Sequence, residues 1–184
     1  MESVDFLSNH SPYHCGAVGF GGRAPTTISM TDVLFDSNIA DSVGGAVEMD
    51  IDGAVSFDIV DSTFIANEAP TIASAMNLVP SDDGYCDLVV TNSSFDGNIS
   101  SSAAIWAYSD TWVTLDSSAM TNNVGGAVRL DDDGSSTLYS IDSDWGVEGV
   151  DDNTPCDVEV QNGATFTGYD SSETFTCTGA LGCF

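Results

Sequence analysis

The 184-residue sequence predicts an all-β chain, coiled as a right-handed parallel β-helix of about six or seven rungs with a C-terminal cap. Three observations carry this expectation. A two-part phrase recurs, in full as Phe35-Asp36-Ser37-Asn38 followed by Gly44-Gly45-Ala46-Val47. The asparagines of its copies, Asn9, Asn38, Asn67, Asn98 and Asn123, are 29, 29, 31 and 25 residues apart, the period of a stacked solenoid rather than of a single globular core. The residues between the phrases alternate apolar and polar, which is the pattern of strands, and no window keeps helical spacing.

In chain order, the first copy is Phe6-Leu7-Ser8-Asn9 with Cys15-Gly16-Ala17-Val18, and the second is the full phrase. The third is Phe64-Ile65-Ala66-Asn67 with Ala73-Ser74-Ala75-Met76, and the fourth is Phe95-Asp96-Gly97-Asn98 with Ser102-Ala103-Ala104-Ile105. Met120-Thr121-Asn122-Asn123 with Gly125-Gly126-Ala127-Val128 is the fifth. Seven and five residues ahead of each ring position stand the apolar pairs Ile28/Met30, Phe57/Ile59, Leu88/Val90 and Val113/Leu115, so a strand leads into each phrase. A second strand leaves it, with Val47, Met49 and Ile51 facing one way and Glu48, Asp50 and Asp52 the other. Turns are expected at Asp52-Gly53, Asp83-Gly84, Asp133-Gly134 and Asp152-Asn153. Coiled in this way, the five asparagines stack as an amide ladder that satisfies a buried bend, with Phe35, Phe64 and Phe95 as a core column beside it. Residues 1–155 form the repeats, and residues 156–184 the last rung or rungs and the cap of the same domain, because the phrase is lost there.

The paired phrases Phe-x-x-Asn and Gly-Gly-Ala-Val, present over residues 1 to about 130, resemble the polymorphic membrane protein repeat of chlamydial-type autotransporter passengers. The resemblance implies a β-helical passenger and an adhesive role, with a neighbouring-cell or host surface protein or glycan as partner. The family's C-terminal membrane barrel has no counterpart in this sequence.

Composition sets the environment. Against 29 acidic residues stand 2 basic ones, a net charge of -27. Such a chain repels nucleic acid and anionic membrane surfaces. No apolar stretch is long enough to span a bilayer, so direct membrane insertion is not expected. Residues 1–20 lack the basic start and apolar centre of a signal peptide, and the chain opens in mid-repeat, so an export signal is expected upstream. Five cysteines in a small acidic β-rich chain point to an oxidising, extracellular or cell-surface location. Cys156 and Cys177 are the expected disulfide, with Cys177–Cys183 as the competing pair.

Aligning the Gly-Gly-Ala-Val phrases places Glu48, Asn77, Trp106 and Arg129 at one outward position of four successive rungs, with Asp50, Val79, Tyr108 and Asp131 beside them. Trp106 and Tyr108, flanked by Arg129 and carboxylates, form a surface on which a sugar ring stacks, and cross-rung packing is the structural reading of the same column. No catalytic residue is assigned. The enzymatic alternative is polysaccharide cleavage of the pectate-lyase-like kind with Arg129 beside Asp131, Asp132 and Asp133, but an acidic substrate would meet a strongly negative protein. His10, His14 and Cys15 lack the second half of a metal site.

The turn acids Asp52, Asp82, Asp83, Asp110, Asp131, Asp132 and Asp133 are expected along one edge of the rod, roughly one rung spacing of 4.8 Å apart. Two readings stand for them: calcium held by oxygen ligands from adjacent turns, or plain solvated turn residues.

Overall fold

The computed structural model describes residues 1–166, apart from Ala24, Asp82-Asp83, Asp132 to Gly134, Glu148 and Asn162-Gly163. The described residues form a parallel β-helix of about five turns, slightly fewer than the six or seven rungs expected, and contain no helix. Every strand pairing is parallel, and each rung pairs with the next in the chain.

Each turn crosses four walls. The first holds strands Ala54–Val60, Tyr85–Thr91, Thr111–Asp116, Thr137–Ile141 and Thr165–Phe166. The second holds Glu2–Leu7, Thr63–Ile65, Ser94–Asp96 and Ala119–Thr121. Strand Thr26–Asp36 belongs to both, pairing with 54–60 through its first half and with 63–65 through its second. The third wall is made of two-residue strands such as His10–Ser11 and Ile39–Ala40. The fourth runs through Val18–Gly22, Val47–Ile51, Met76–Pro80, Ile105–Tyr108, Val128–Asp131 and Val158–Val160.

The two bends that flank the second wall share one device: a residue at positive φ followed by a side chain that hydrogen-bonds to a neighbouring rung. Between the second and third walls the positive-φ positions are Ser8, Ser37, Ala66, Gly97 and Asn122, each directly before a phrase asparagine. Asn38, Asn67, Asn98 and Asn123 are buried and Asn9 is exposed at the open end. Each Nδ2 donates to the Oδ1 of the next, at 2.8 Å from Asn9 to Asn38, 2.9 Å to Asn67, and 3.0 Å to Asn98 and to Asn123. The same Oδ1 atoms accept the backbone N–H of the preceding asparagine, so each buried bend is satisfied along the whole stack. The ladder continues to a sixth member: Asn123 Nδ2 donates to Asn153 Oδ1 at 2.8 Å. Asn153 is therefore a buried ladder residue and not the turn residue expected of the Asp152-Asn153 pair.

The bend between the first two walls carries a serine ladder that sequence reading missed. Ser62, Ser93, Ser118 and Ser143 accept the backbone N–H of Val33, Ser62, Ser93 and Ser118 and donate to the carbonyl two residues back. The residues ahead of these positions, Asp32, Asp61, Asn92, Ser117 and Asp142, all have positive φ. Beside the ladders runs the ring column. Phe6, Phe35, Phe64 and Phe95 stack with centroids 4.9, 4.7 and 4.4 Å apart, and Met120 and the buried Trp145 extend it.

The double glycine has two separate causes. Gly44 sits at φ +66, where a side chain is strained, whereas a Cβ on Gly45 would come within 2.1 Å of the Ser74 carbonyl oxygen of the next rung. Cys86 is buried among core residues, and Cys156 is buried near the last described rung. Cys177 lies outside the described residues, as does the pairing proposed for it.

Candidate functional site

On the fourth wall, inward residues alternate with outward ones, and the parallel register stacks the outward set in a column. Glu48 pairs with Asn77, Asn77 with Trp106, Trp106 with Arg129, and Arg129 with Glu159. The neighbouring column runs Asp50, Val79, Tyr108 and Asp131. The aligned phrases therefore do bring Glu48, Asn77, Trp106, Tyr108 and Arg129 onto one wall. The column is not an open platform, however: Asn77 is 3% exposed and Trp106, Tyr108 and Arg129 are half-buried.

A cavity of about 310 Å³ opens beside the column, lined by Thr71, Ile72, Ser101, Ser102, Trp106, Arg129 and Asp131. The Trp106 and Tyr108 rings lie 5.4 Å apart at 45°. The Arg129 guanidinium is held on several sides. Nη2 donates to Asp131 Oδ2 at 2.9 Å and to Gln161 Oε1 at 3.0 Å, while Nη1 donates to the Ser102 hydroxyl at 3.3 Å and lies 3.7 Å from Glu159 Oε2. Among the described residues, the Asp131 and Glu159 carboxylates thus both face the one guanidinium, which offsets part of their charge.

Three polar atoms in this column have no hydrogen-bond partner: Asn77 Oδ1, Trp106 Nε1 and Arg129 Nε. They belong to three successive rungs. Buried polar groups are ordinarily paired, and each unpaired one costs about 1–3 kcal/mol. The set offers two N–H donors and one carbonyl acceptor beside the hydroxyls of Thr71, Ser101 and Ser102. All three atoms lie beneath the surface, so a group entering the cavity reaches them only as neighbouring side chains shift.

The other residues singled out from sequence lie apart from this cavity. Glu48 Oε1 accepts from the His14 ring at 3.0 Å, and His10 pairs with Asp41 at 2.8 Å, so the two histidines serve different carboxylates. Asp52 meets Arg23 at 3.2 Å and Asp110 accepts from the Ser135 hydroxyl. Asp82, Asp83, Asp132 and Asp133 lie outside the described residues. Among the described residues no three His, Cys, Asp or Glu side chains gather as metal ligands.

Sequence reading missed Glu159 and Gln161. The signal was present, since Val158 pairs with Val128 and so carries the column one rung further, but Cys156-Asp157-Val158 stands where earlier rungs have Gly-Ala-Val or Ala-Ala-Ile. No family model, no curated protein and no solved structure matches the chain.

Proposed function

We infer that the chain is a non-catalytic β-helical binding module, adhesin-like and displayed outside the cell, which takes one sugar residue of a neutral glycan in the Trp106 cleft. The observation that carries the reading is the pair of unpaired donors Trp106 Nε1 and Arg129 Nε, on residues that line a cavity with three hydroxyl side chains, with the unpaired Asn77 Oδ1 one rung further along the column. A sugar ring supplies what this set lacks: hydroxyls that both donate and accept, and a C–H face for the indole. The cavity volume is at the small end of ligand sites, in keeping with a single ring rather than a long chain.

The Phe-x-x-Asn and Gly-Gly-Ala-Val phrases support assignment to the polymorphic membrane protein repeat. The asparagine, ring and double glycine each serve rung stacking, so the phrase speaks for a surface solenoid and leaves the ligand to the outward residues. The competing reading is polysaccharide cleavage at Arg129 and Asp131. Arg129 is engaged by Asp131, Gln161 and Glu159, and a net charge of -27 repels the acidic substrates that would need a free arginine.

A glycan array probed with wild type and Trp106→Ala tests the proposal. Signals on neutral glycans that disappear in the variant are expected, and equal signals from both proteins remove the cleft as the contact. Turnover of a polysaccharide that is abolished by Arg129→Ala or Asp131→Asn would replace binding by catalysis.

A further inference from the structure

The first wall carries three exposed aromatic side chains that the cleft does not use: Tyr85, Trp112 and Tyr139, with 44, 41 and 46% of their surface open. Parallel register sets their arrangement. Trp112 pairs with Asp87, two residues beyond Tyr85, and with Thr137, two residues before Tyr139. Each ring therefore lies one strand over and two residues along from the one before, a diagonal step of about 8 Å. Tyr85 and Trp112 meet edge to face, with centroids 5.4 Å apart at 62°, so each restrains the other while much of both rings stays open.

The outward residues around the row are Ser56, Asp58, Asp87, Val89, Thr114 and Thr137, and these strands carry no Lys, Arg or His. We propose that the Tyr85–Trp112–Tyr139 diagonal is a second binding surface, on which an extended neutral polysaccharide lies with successive sugar rings stacked on the aromatic side chains. Charge and chemistry select this occupant. Asp58 and Asp87, on a chain of net charge -27, repel nucleic acid and acidic polysaccharides. Three rings spaced among hydroxyls and carboxylates make no continuous apolar centre for a protein partner. A neutral glycan chain presents C–H faces to the rings and hydroxyls to Ser56, Thr114, Thr137 and the two carboxylates. The surface lies on a different wall from Trp106, so it stands or falls independently of the cleft.

Affinity electrophoresis of the whole chain in gels containing hydroxyethylcellulose, galactomannan, xylan or polygalacturonate decides the matter. Retardation by at least one neutral polymer is expected, with none by polygalacturonate. Trp112→Ala should weaken it roughly tenfold and Tyr139→Ala by less. Trp112→Phe should retain most of it. All substituted side chains on this wall are at the surface, and an unchanged melting midpoint confirms that folding is intact. Absence of retardation by every neutral polymer overturns the proposal, as does equal retardation of wild type and Trp112→Ala. Loss with Trp106→Ala alone would transfer all binding to the cleft.

Discussion

Truncating one rung of the amide ladder, Asn67→Ala, tests what holds the coil together. Asn67 has zero exposure and makes four side-chain hydrogen bonds. Its Nδ2 donates to the Phe35 carbonyl and to Asn98 Oδ1, both at 3.0 Å, and its Oδ1 accepts from Asn38 N at 3.0 Å and Asn38 Nδ2 at 2.9 Å. Not all these partners are stranded by the change. Asn38 Nδ2 keeps the Phe6 carbonyl and Asn98 Oδ1 keeps the Asn67 backbone N–H, whereas the buried Asn38 N–H loses its acceptor. One orphaned donor at about 1–3 kcal/mol, with about 1 kcal/mol for each of the other three bonds lost, sums to roughly 5 kcal/mol. For a chain of this size that lowers the melting midpoint by about 10–20 °C. Asn9→Ala is the control, since Asn9 is exposed and its side chain donates one bond, to Asn38; the expected loss is under about 1 kcal/mol. Urea and thermal denaturation followed by circular dichroism measure both. Equal losses at the two positions would refute the claim that buried bends are held by the ladder.

Gly45→Ala should destabilise by about 3 kcal/mol, because the new Cβ meets the Ser74 carbonyl oxygen of the next rung, while Gly22→Ala, with nothing within 4 Å, should be near neutral in the same melts. Burial, with a smaller contribution from Asp87, pushes the Cys86 thiol up to about 12 from its ordinary value of 9.0. The folded state therefore keeps this proton where the unfolded state loses it: the contribution is whole below pH 9.0 and is lost as pH rises toward 12, at up to about 1.4 kcal/mol per pH unit. Stability measured from pH 8 to 11 should fall less steeply in Cys86→Ala than in wild type, and identical slopes would contradict the burial argument. Calcium held by the acidic turns should raise the melting midpoint in millimolar calcium above that in sodium with chelator at matched ionic strength; equal midpoints would leave only screening.

The interior of the coil was legible because one side-chain type recurs at one point of each rung. Asn38, Asn67, Asn98 and Asn123 keep a fixed place three residues after a ring or methionine, and both columns follow from that spacing. Asn153 escaped because residues 146–152 intervene between Trp145 and the ladder. Asp144 Oδ1 accepts from Gly146 N and Asp151 Oδ1 from Val147 N, which closes the extra residues into a loop and returns the chain to register. The serine ladder escaped for a different reason: Ser62, Ser93 and Ser118 stand two residues before each ring position, where serine reads as an ordinary turn residue. For the site, the register of Trp106 and Arg129 was in the phrase alignment. Their burial was not, because it depends on Thr71, Ile72, Ser101 and Ser102, turn residues whose place around the cavity is set only once the rungs are stacked. The Tyr85–Trp112–Tyr139 diagonal was hidden too, since the three rings occupy different positions of their strands and never align in the sequence.

The division of labour between inside and outside explains why the outward residues, and not the repeat phrase, set one height of the rod apart from the rest. Inward columns repeat a single solution to stacking, so a change at any rung costs the same kind of contact, as the asparagine and phenylalanine columns show. Outward columns are released from that constraint, and along one of them the residues run Glu48, Asn77, Trp106, Arg129 and Glu159 without repetition. The chain has 2 basic residues against 29 acidic ones, and one of them, Arg129, is spent where Asp131 and Glu159 converge beside Trp106. Asp131 and Glu159 stand on adjacent rungs two residues out of register, and the guanidinium between them reduces their repulsion at this height. The cleft is consequently a place on a strongly negative rod where charge is partly offset and hydrogen-bonding capacity is left over. Anions meet the field of the whole chain, and cations find the nearest carboxylates already engaged by arginine. An uncharged, hydroxyl-bearing ligand meets neither obstacle, which is why a neutral sugar is the ligand class proposed for the cleft.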